Sequence, residues 1–430
     1  MWSGIGLVVA NTIGVGVLTT TGYMARDMSP NVILVAWVLG ALIALAGAFC
    51  YATIANRIPR SGGEYRYLSD LVHPSVGYLA GWTSLLVGFS APVAVAAYSA
   101  ALFAETLVPS LDARATAIGI IVVVTLLHAV SRRVSLRSQN FLAGTKLIVF
   151  VGFLGVALIY GANQWPDWQP PAVVESGSSG FPAGPFFIAL VFIAYAFSGW
   201  NTSIYAAEEF KNPRRDVARS MIGGTIVIGV LYLAVNWIFV SNLDGAKMAA
   251  IAGSETQAVT LAHFVAVDIV GHGAAQLVSV ALILMLVSSM SAMTVVGPHV
   301  YSTMARDGYL PRFLMRRGDR LPVASVLVQS GLAVAMLMTH SFELLIRNIG
   351  AMLTLMSALT VIAVLKTRPR PFILACAGVY VIASGWMLYY AFADSPITLA
   401  WGLAAFGLAF AGYLGTNRLT QRGETAPESE

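Results

Sequence analysis

The stretch Asn11-Thr12-Ile13-Gly14-Val15-Gly16-Val17-Leu18 places an asparagine, a threonine and two glycines in the middle of an apolar run at residues 3–25. Five runs later, Tyr195-Ala196-Phe197-Ser198-Gly199-Trp200-Asn201 does the same inside residues 184–209. In hydrocarbon a backbone group without a partner is costly, so a helix broken at that depth must be satisfied by a neighbour or a ligand. Glycines in a membrane helix also serve simply to let a neighbour approach, the reading that suits Gly77-Tyr78-Leu79-Ala80-Gly81. Two interrupted segments at corresponding places of two halves favour the broken-helix reading, an inverted repeat with a binding site between the breaks.

The rest of the chain is consistent with a lipid surround. Of 430 residues, 57% are hydrophobic and 10% charged, against roughly 25% charged in soluble domains. A membrane span needs about 20 mainly apolar residues. Such runs fall near 3–25, 30–56, 75–107, 114–131, 138–161, 184–209, 217–241, 272–304, 323–339, 343–365, 371–391 and 395–416. The fold class expected is therefore an all-α integral membrane protein of about twelve transmembrane helices. It forms one domain over residues 1–419, with repeats at about 1–161 and 184–365 and two peripheral helices at about 371–416. Residues 420–430 read as a disordered cytoplasmic tail.

The net charge of +5 raises the question of nucleic acid, and its distribution answers no. With Met1 in the cytoplasm, 20 of the 25 basic residues fall in inner loops or the tail. Outer loops hold only Arg26, Arg114, Lys247 and Arg347, and Lys146 lies within a span. That asymmetry follows the positive-inside rule and puts both termini in the cytoplasm. Arginine outnumbers lysine and the loops are compact, as in a bacterial inner membrane. The first run lacks a basic leader and a small-residue cleavage site, so no cleaved signal is expected. Cys50 and Cys376 lie in spans and read as packing residues.

A half-helix presents a positive N-terminal end that attracts a carboxylate and a negative C-terminal end that attracts an ammonium. Two breaks with opposed ends thus receive a zwitterion, and an α-amino acid carries both charges on one carbon. Thr12, Ile13, Gly14, Val15 and Gly16 form the first wall, with amides around Gly14 to Gly16 for the carboxylate. Tyr195, Ala196, Ser198 and Gly199 form the second, with carbonyls of Tyr195, Ala196 and Ser198 for the amine. Asn201, one turn on, can hydrogen-bond either group. Tyr195 and Trp200 supply bulk for a gate, or are packing aromatics. Neither broken segment contains Asp, Glu, Arg or Lys, which favours a neutral side chain.

Lys146 lies eight residues into its span, roughly 12 Å at about 1.5 Å per residue. It either snorkels to the interface or acts as a buried charge. A buried ammonium can replace a bound sodium ion in bracing the broken first span, or exchange a proton. Ser288, Ser289 and Ser291 line the cavity or bond to their own helix, and Pro92 and Pro298 kink theirs. Loop residues around Ser61-Gly62-Gly63-Glu64-Tyr65 and Met304-Ala305-Arg306-Asp307-Gly308 either form gate ion pairs or are solvated. No His-Glu-x-x-His, Gly-x-Ser-x-Gly or Cys-x-x-Cys is present, and the six histidines lack metal-ligand spacing. The expectations are no enzyme, no metal and no cofactor.

These residues resemble the amino acid–polyamine–organocation superfamily, most closely its L-type amino acid transporter branch. The likeness runs over spans 1 to 10. It rests on Gly14-Val15-Gly16, Ser61-Gly62-Gly63-Glu64-Tyr65, Lys146, Phe197-Ser198-Gly199-Trp200-Asn201, Glu208-Glu209 with Asn212-Pro213, and Met304-Ala305-Arg306-Asp307-Gly308. The resemblance implies a LeuT-type fold of two inverted five-helix repeats, alternating access and L-amino acid substrates. It gives Tyr195 the place of an aromatic outer gate, and Lys146 that of the fifth-span lysine of sodium-independent members. Two departures stand out. Val15 replaces the usual serine of Gly-Ser-Gly, removing a hydroxyl contact, and no outer-loop cysteine is present for a disulfide-linked partner subunit. Sodium-independent exchange or proton-coupled transport is expected, with export, or carriage of an amine or polyamine, as the alternative. A non-transporting amino acid receptor is a distant one, since only short loops are present to carry an output.

Overall fold

The computed structural model describes residues 2–130, 132–171, 181–205, 207–315 and 322–424. The basic positions Arg316, Arg317 and Arg320, and residues 425–430 of the tail, lie outside the described residues. Among the described residues all regular structure is helical. Pro30, Pro74, Pro213, Pro371 and Pro396 each open a helix. At that position the missing N–H would have no intrahelical partner, and the fixed φ suits the first turn.

The first apolar run is two helices, α1 (Trp2–Thr12) and α2 (Val15–Met24), bent by 43° at the break. α3 (Pro30–Arg57) and the short α4 (Gly63–Leu71) lead into α5 (Pro74–Leu107). α5 has a π-helical stretch, Ser84–Ser90, just ahead of Pro92, where proline's ring and missing donor disfavour a regular turn. Next come α6 (Ala113–Val130), α7 (Arg132–Tyr160) and α8 (Ala183–Ala196). α9 (Pro213–Ser241), α10 (Gly245–Ala252) and α11 (Glu255–Val259) precede α12 (Leu261–Arg306). α13 (Val323–Thr339), α14 (Phe342–Ala363), α15 (Pro371–Asp394) and α16 (Pro396–Glu424) complete the chain.

Seven described helices are long and apolar enough to cross a membrane, and the bent α1–α2 pair makes an eighth. Four shorter apolar helices, at 113–129, 144–160, 183–196 and 323–339, occupy the other expected runs. Three boundaries differ from expectation. The run at 184–209 is regular helix only to Ala196, because Ser198, Gly199 and Asn201 favour turns over helix. The run expected from 272 begins at Leu261 and bends at Gly271, whose φ of +76° suits glycine. The last helix continues to Glu424, past the expected start of the tail at 420.

α9 packs along α3, while α12 packs along α5 and α7. α15 and α16 are mostly exposed and turn Phe372, Ile382, Trp386, Trp401 and Leu408 outward, the apolar face a bilayer covers. At the centre the two breaks touch through their backbones. A Cβ on Gly16 would stand 2.5 Å from the Cα of Ala196, and one on Gly199 would stand 2.7 Å from Asn11 and Thr12 main-chain atoms. In a membrane, helices associate by such close packing rather than by hydrophobic exclusion.

Gly199→Ala should overpack this crossing and lower stability by about 1–3 kcal/mol, read as a lower Tm in detergent. Gly119→Ala, where a Cβ would meet nothing within 4 Å, should leave the Tm unchanged.

Candidate functional site

Two adjoining cavities meet at the breaks. The smaller is lined by Thr12, Gly14, Val15, Gly16, Tyr195, Ala196 and Ser198, with Ser289 from α12. The larger holds Gly199, Trp200 and Asn201 in its wall. Asn11, Ser198 and Met293 line both. Ile13 is fully buried and lines neither, though its carbonyl accepts from Ser289 Oγ at 3.3 Å. Most of the backbone set expected from the sequence is thus gathered at one small cavity.

Gly14 has extended backbone, and no side chain caps the first turn of α2. The N–H groups of that turn lie at the small cavity and have no intrahelical acceptors. α8 ends opposite, where the chain turns after Ala196. Tyr195 O accepts from Ser198 N at 3.0 Å, and Ala196 O from Tyr232 Oη at 3.0 Å. The same Tyr232 hydroxyl lies 2.7 Å from Thr12 O, its single proton shared between the two carbonyls, so one side chain on α9 bridges both breaks. Tyr232 is held by Phe197, with ring centres 5.0 Å apart, and edge-on by Trp37 at 5.6 Å. Sequence reading missed it, because a tyrosine inside an apolar run gives no sign of which carbonyls it will meet.

Lys146 is 1% exposed, and its Nζ donates to Ala10 O at 2.6 Å, in the last turn of α1. It does not snorkel. A buried ammonium costs several kcal/mol, while one hydrogen bond to a charged group returns about 1.5–3 kcal/mol. The negative end of α1, pointing at the break, lessens the deficit. Of the expected serines, Ser289 reaches the break, while Ser291 Oγ pairs with His128 Nε2 at 2.8 Å.

Two side chains face away from the small cavity. The Asn201 amide donates to Glu64 Oε1 at 3.4 Å, and the Trp200 ring packs edge-on against Tyr51 at 4.8 Å. The wall drawn from the two broken segments alone has no ionisable carboxyl or basic group, but the folded chain adds a carboxyl. Gly62 and Gly63, with φ of +130° and +61°, turn the chain back into the bundle, and α4 buries Glu64 in the larger cavity. The sequence signal was the glycine pair, which marks a turn but not where the next residue points.

The loop residues are paired. Tyr65 Oη donates to Asp307 at 2.5 Å, Arg66 lies 3.4 Å from the same carboxylate, and Ser61 and Glu208 exchange hydrogen bonds at 3.3 and 3.2 Å. At the other end Arg347 pairs with Glu343 at 2.8 Å and with Asp394. Lys247 is surface-exposed and pairs with Asp268 at 2.7 Å, which raises its ammonium pKa from the usual value.

Membrane-length apolar helices around two opposed helix breaks, with cavities between them, define a multi-pass membrane transporter. The chain matches the amino acid permease family over residues 1–422 and belongs to it. It is an amino acid transporter, not an enzyme. It is 23% identical over 424 residues to Asc-type amino acid transporter 1 of Mus musculus, covering 92% of this chain and 77% of the relative. It is 24% identical over 419 residues to Large neutral amino acids transporter small subunit 2 of Homo sapiens, covering 94% and 77%. With b(0,+)-type amino acid transporter 1 of Mus musculus it shares 28% over 242 residues, 54% of this chain and 49% of the relative.

Lys146→Ala should reduce transport far more than Lys247→Ala at equal expression; equal activity would remove the lysine from the mechanism. Tyr232→Phe leaves two buried carbonyls without their donor and should cost about 1–3 kcal/mol, seen as a fall in Tm with weaker substrate binding.

Proposed function

We propose that this protein is a sodium-independent secondary transporter of neutral L-amino acids, working by alternating access across the plasma membrane. The observation that carries this reading is the pair of helix breaks sharing one small cavity, with the uncapped start of α2 facing the end of α8. The amides of Gly14, Val15 and Gly16 hold the substrate carboxylate, and the carbonyls beside Tyr195, Ala196 and Ser198 hold its ammonium. Tyr195 closes the site from outside, and Trp200 follows the movement of the second break. Lys146, bonded to Ala10 O, supplies the positive charge that braces α1, where a sodium-dependent carrier would bind its ion. A relative named for large neutral amino acids supports the substrate class.

The helices form two inverted five-helix repeats of the LeuT type, about 1–161 and 184–365, with α15 and α16 peripheral. Both termini are cytoplasmic, which makes the end carrying Arg66 and Asp307 the inner one. The protein functions without a disulfide-linked partner subunit, Cys50 and Cys376 both lying in helices. Coupling is by exchange or by proton symport. A carrier must bind its substrate with similar strength in both orientations, since a strong preference for one would trap it.

Radiolabelled neutral amino acid uptake into proteoliposomes, in choline buffer without sodium, tests this. Uptake should persist in choline, and its loss there would overturn sodium independence. Stimulation by trapped unlabelled amino acid identifies exchange; stimulation by an inward proton gradient identifies symport.

A further inference from the structure

Phe342–Thr367 and Pro371–Asp394 are both helical stretches long and apolar enough to cross a membrane, and only Arg368-Pro369-Arg370 lies between them. So short a link between two spans cannot leave the headgroup layer. It nevertheless sets cations at alternate positions, Lys366, Arg368 and Arg370, all exposed. Thr367 between them is buried, its Oγ1 donating to Val364 O at 2.6 Å. The turn thus keeps its small polar residue inward and its charges outward. Arg368 has a left-handed backbone, φ +47°, which glycine adopts freely and other residues rarely.

Nothing described in the protein balances this charge. Among the described residues none of these three cations forms an ion pair. The nearest acids along the chain are Glu343 and Asp394, and both pair with Arg347 at the opposite end of the bundle. α3, which packs on the turn, ends in a further cation, Arg57. Other basic positions differ. Arg60 pairs with Asp70 and Arg66 with Asp307, while Lys211, Arg214 and Arg215 are interleaved with Glu208, Glu209 and Asp216.

Apolar side chains flank the turn and face outward, Leu365 at 53% and Phe372 at 59% exposed. Unpaired cations beside a lipid-facing apolar surface match a lipid phosphate with its acyl chains along the helices. We infer that the turn between α14 and α15 is a binding site for an anionic phospholipid of the phosphatidylglycerol kind. In the orientation proposed above this lipid belongs to the cytoplasmic leaflet. It holds the foot of a helix that walls the larger cavity: α14 contributes Leu353, Thr354 and Ser357 there, and Ser357 Oγ donates to Glu64 Oε1 at 3.0 Å.

The test is native mass spectrometry of the full chain in detergent, titrated with dioleoyl-phosphatidylglycerol or dioleoyl-phosphatidylcholine. One basic residue near an anionic surface is worth about fivefold in affinity, so phosphatidylglycerol should bind about tenfold or more tightly than phosphatidylcholine. Lys366→Gln, Arg368→Gln and Arg370→Gln combined should remove that preference. Lys211→Gln, Arg214→Gln and Arg215→Gln combined, an equal loss of charge elsewhere, should keep it. Arg368→Gly, which relieves the left-handed backbone, should weaken phosphatidylglycerol about fivefold, and it serves if the first combination fails to fold. An unchanged preference in the folded first combination overturns the site. Equal losses in both combinations overturn it in favour of general surface attraction. Displacement of the lipid by equimolar inorganic phosphate overturns it in favour of a free anion. The readout needs no substrate, so absence of any preference in the wild-type protein overturns the site and leaves the transport reading untouched.

Discussion

The backbone contact between the two helix breaks is the constraint around which the rest of this structure is arranged. Gly16 lies against Ala196, and Gly199 lies against Asn11 and Thr12, at distances that leave no room for a side chain. Helices joined side chain to side chain would stand farther apart and leave no shared cavity at the breaks. Because these two meet main chain to main chain, the open amides of α2 and the turn after α8 border the same small cavity.

That closeness leaves carbonyls and amides at mid-bundle that must be satisfied, and the neighbouring helices supply partners. Tyr232 gives one hydroxyl to both breaks, and Lys146 gives an ammonium to the end of α1. Thr21, Trp37 and Asn236 tie α2, α3 and α9 together beside them. Ion pairs tie the bundle at each end, Arg66 to Asp307 at one and Arg347 to Glu343 and Asp394 at the other.

Much of the fold was legible because its signals are local. Apolar run length, proline at helix starts and glycine with polar residues at mid-run are written in consecutive residues, and the depth of Lys146 follows from counting. The limits of the eighth and twelfth helices were less legible. A run of apolar residues does not report where turn-forming residues such as Ser198 and Gly199 outweigh helix propensity, or that Gly271 will bend a helix instead of ending it.

The sequence by itself determined an all-helical membrane protein, the positions of its two breaks and the backbone atoms offered there, because hydrocarbon forces every polar interruption to have a use. Only the tertiary structure decided which side chains meet those atoms. Tyr232 and Lys146 reach them from two separate helices, and Asn201 turns to Glu64. Contacts between residues as distant as 64 and 357 depend on how helices are rotated and stacked, which no local pattern of residues encodes.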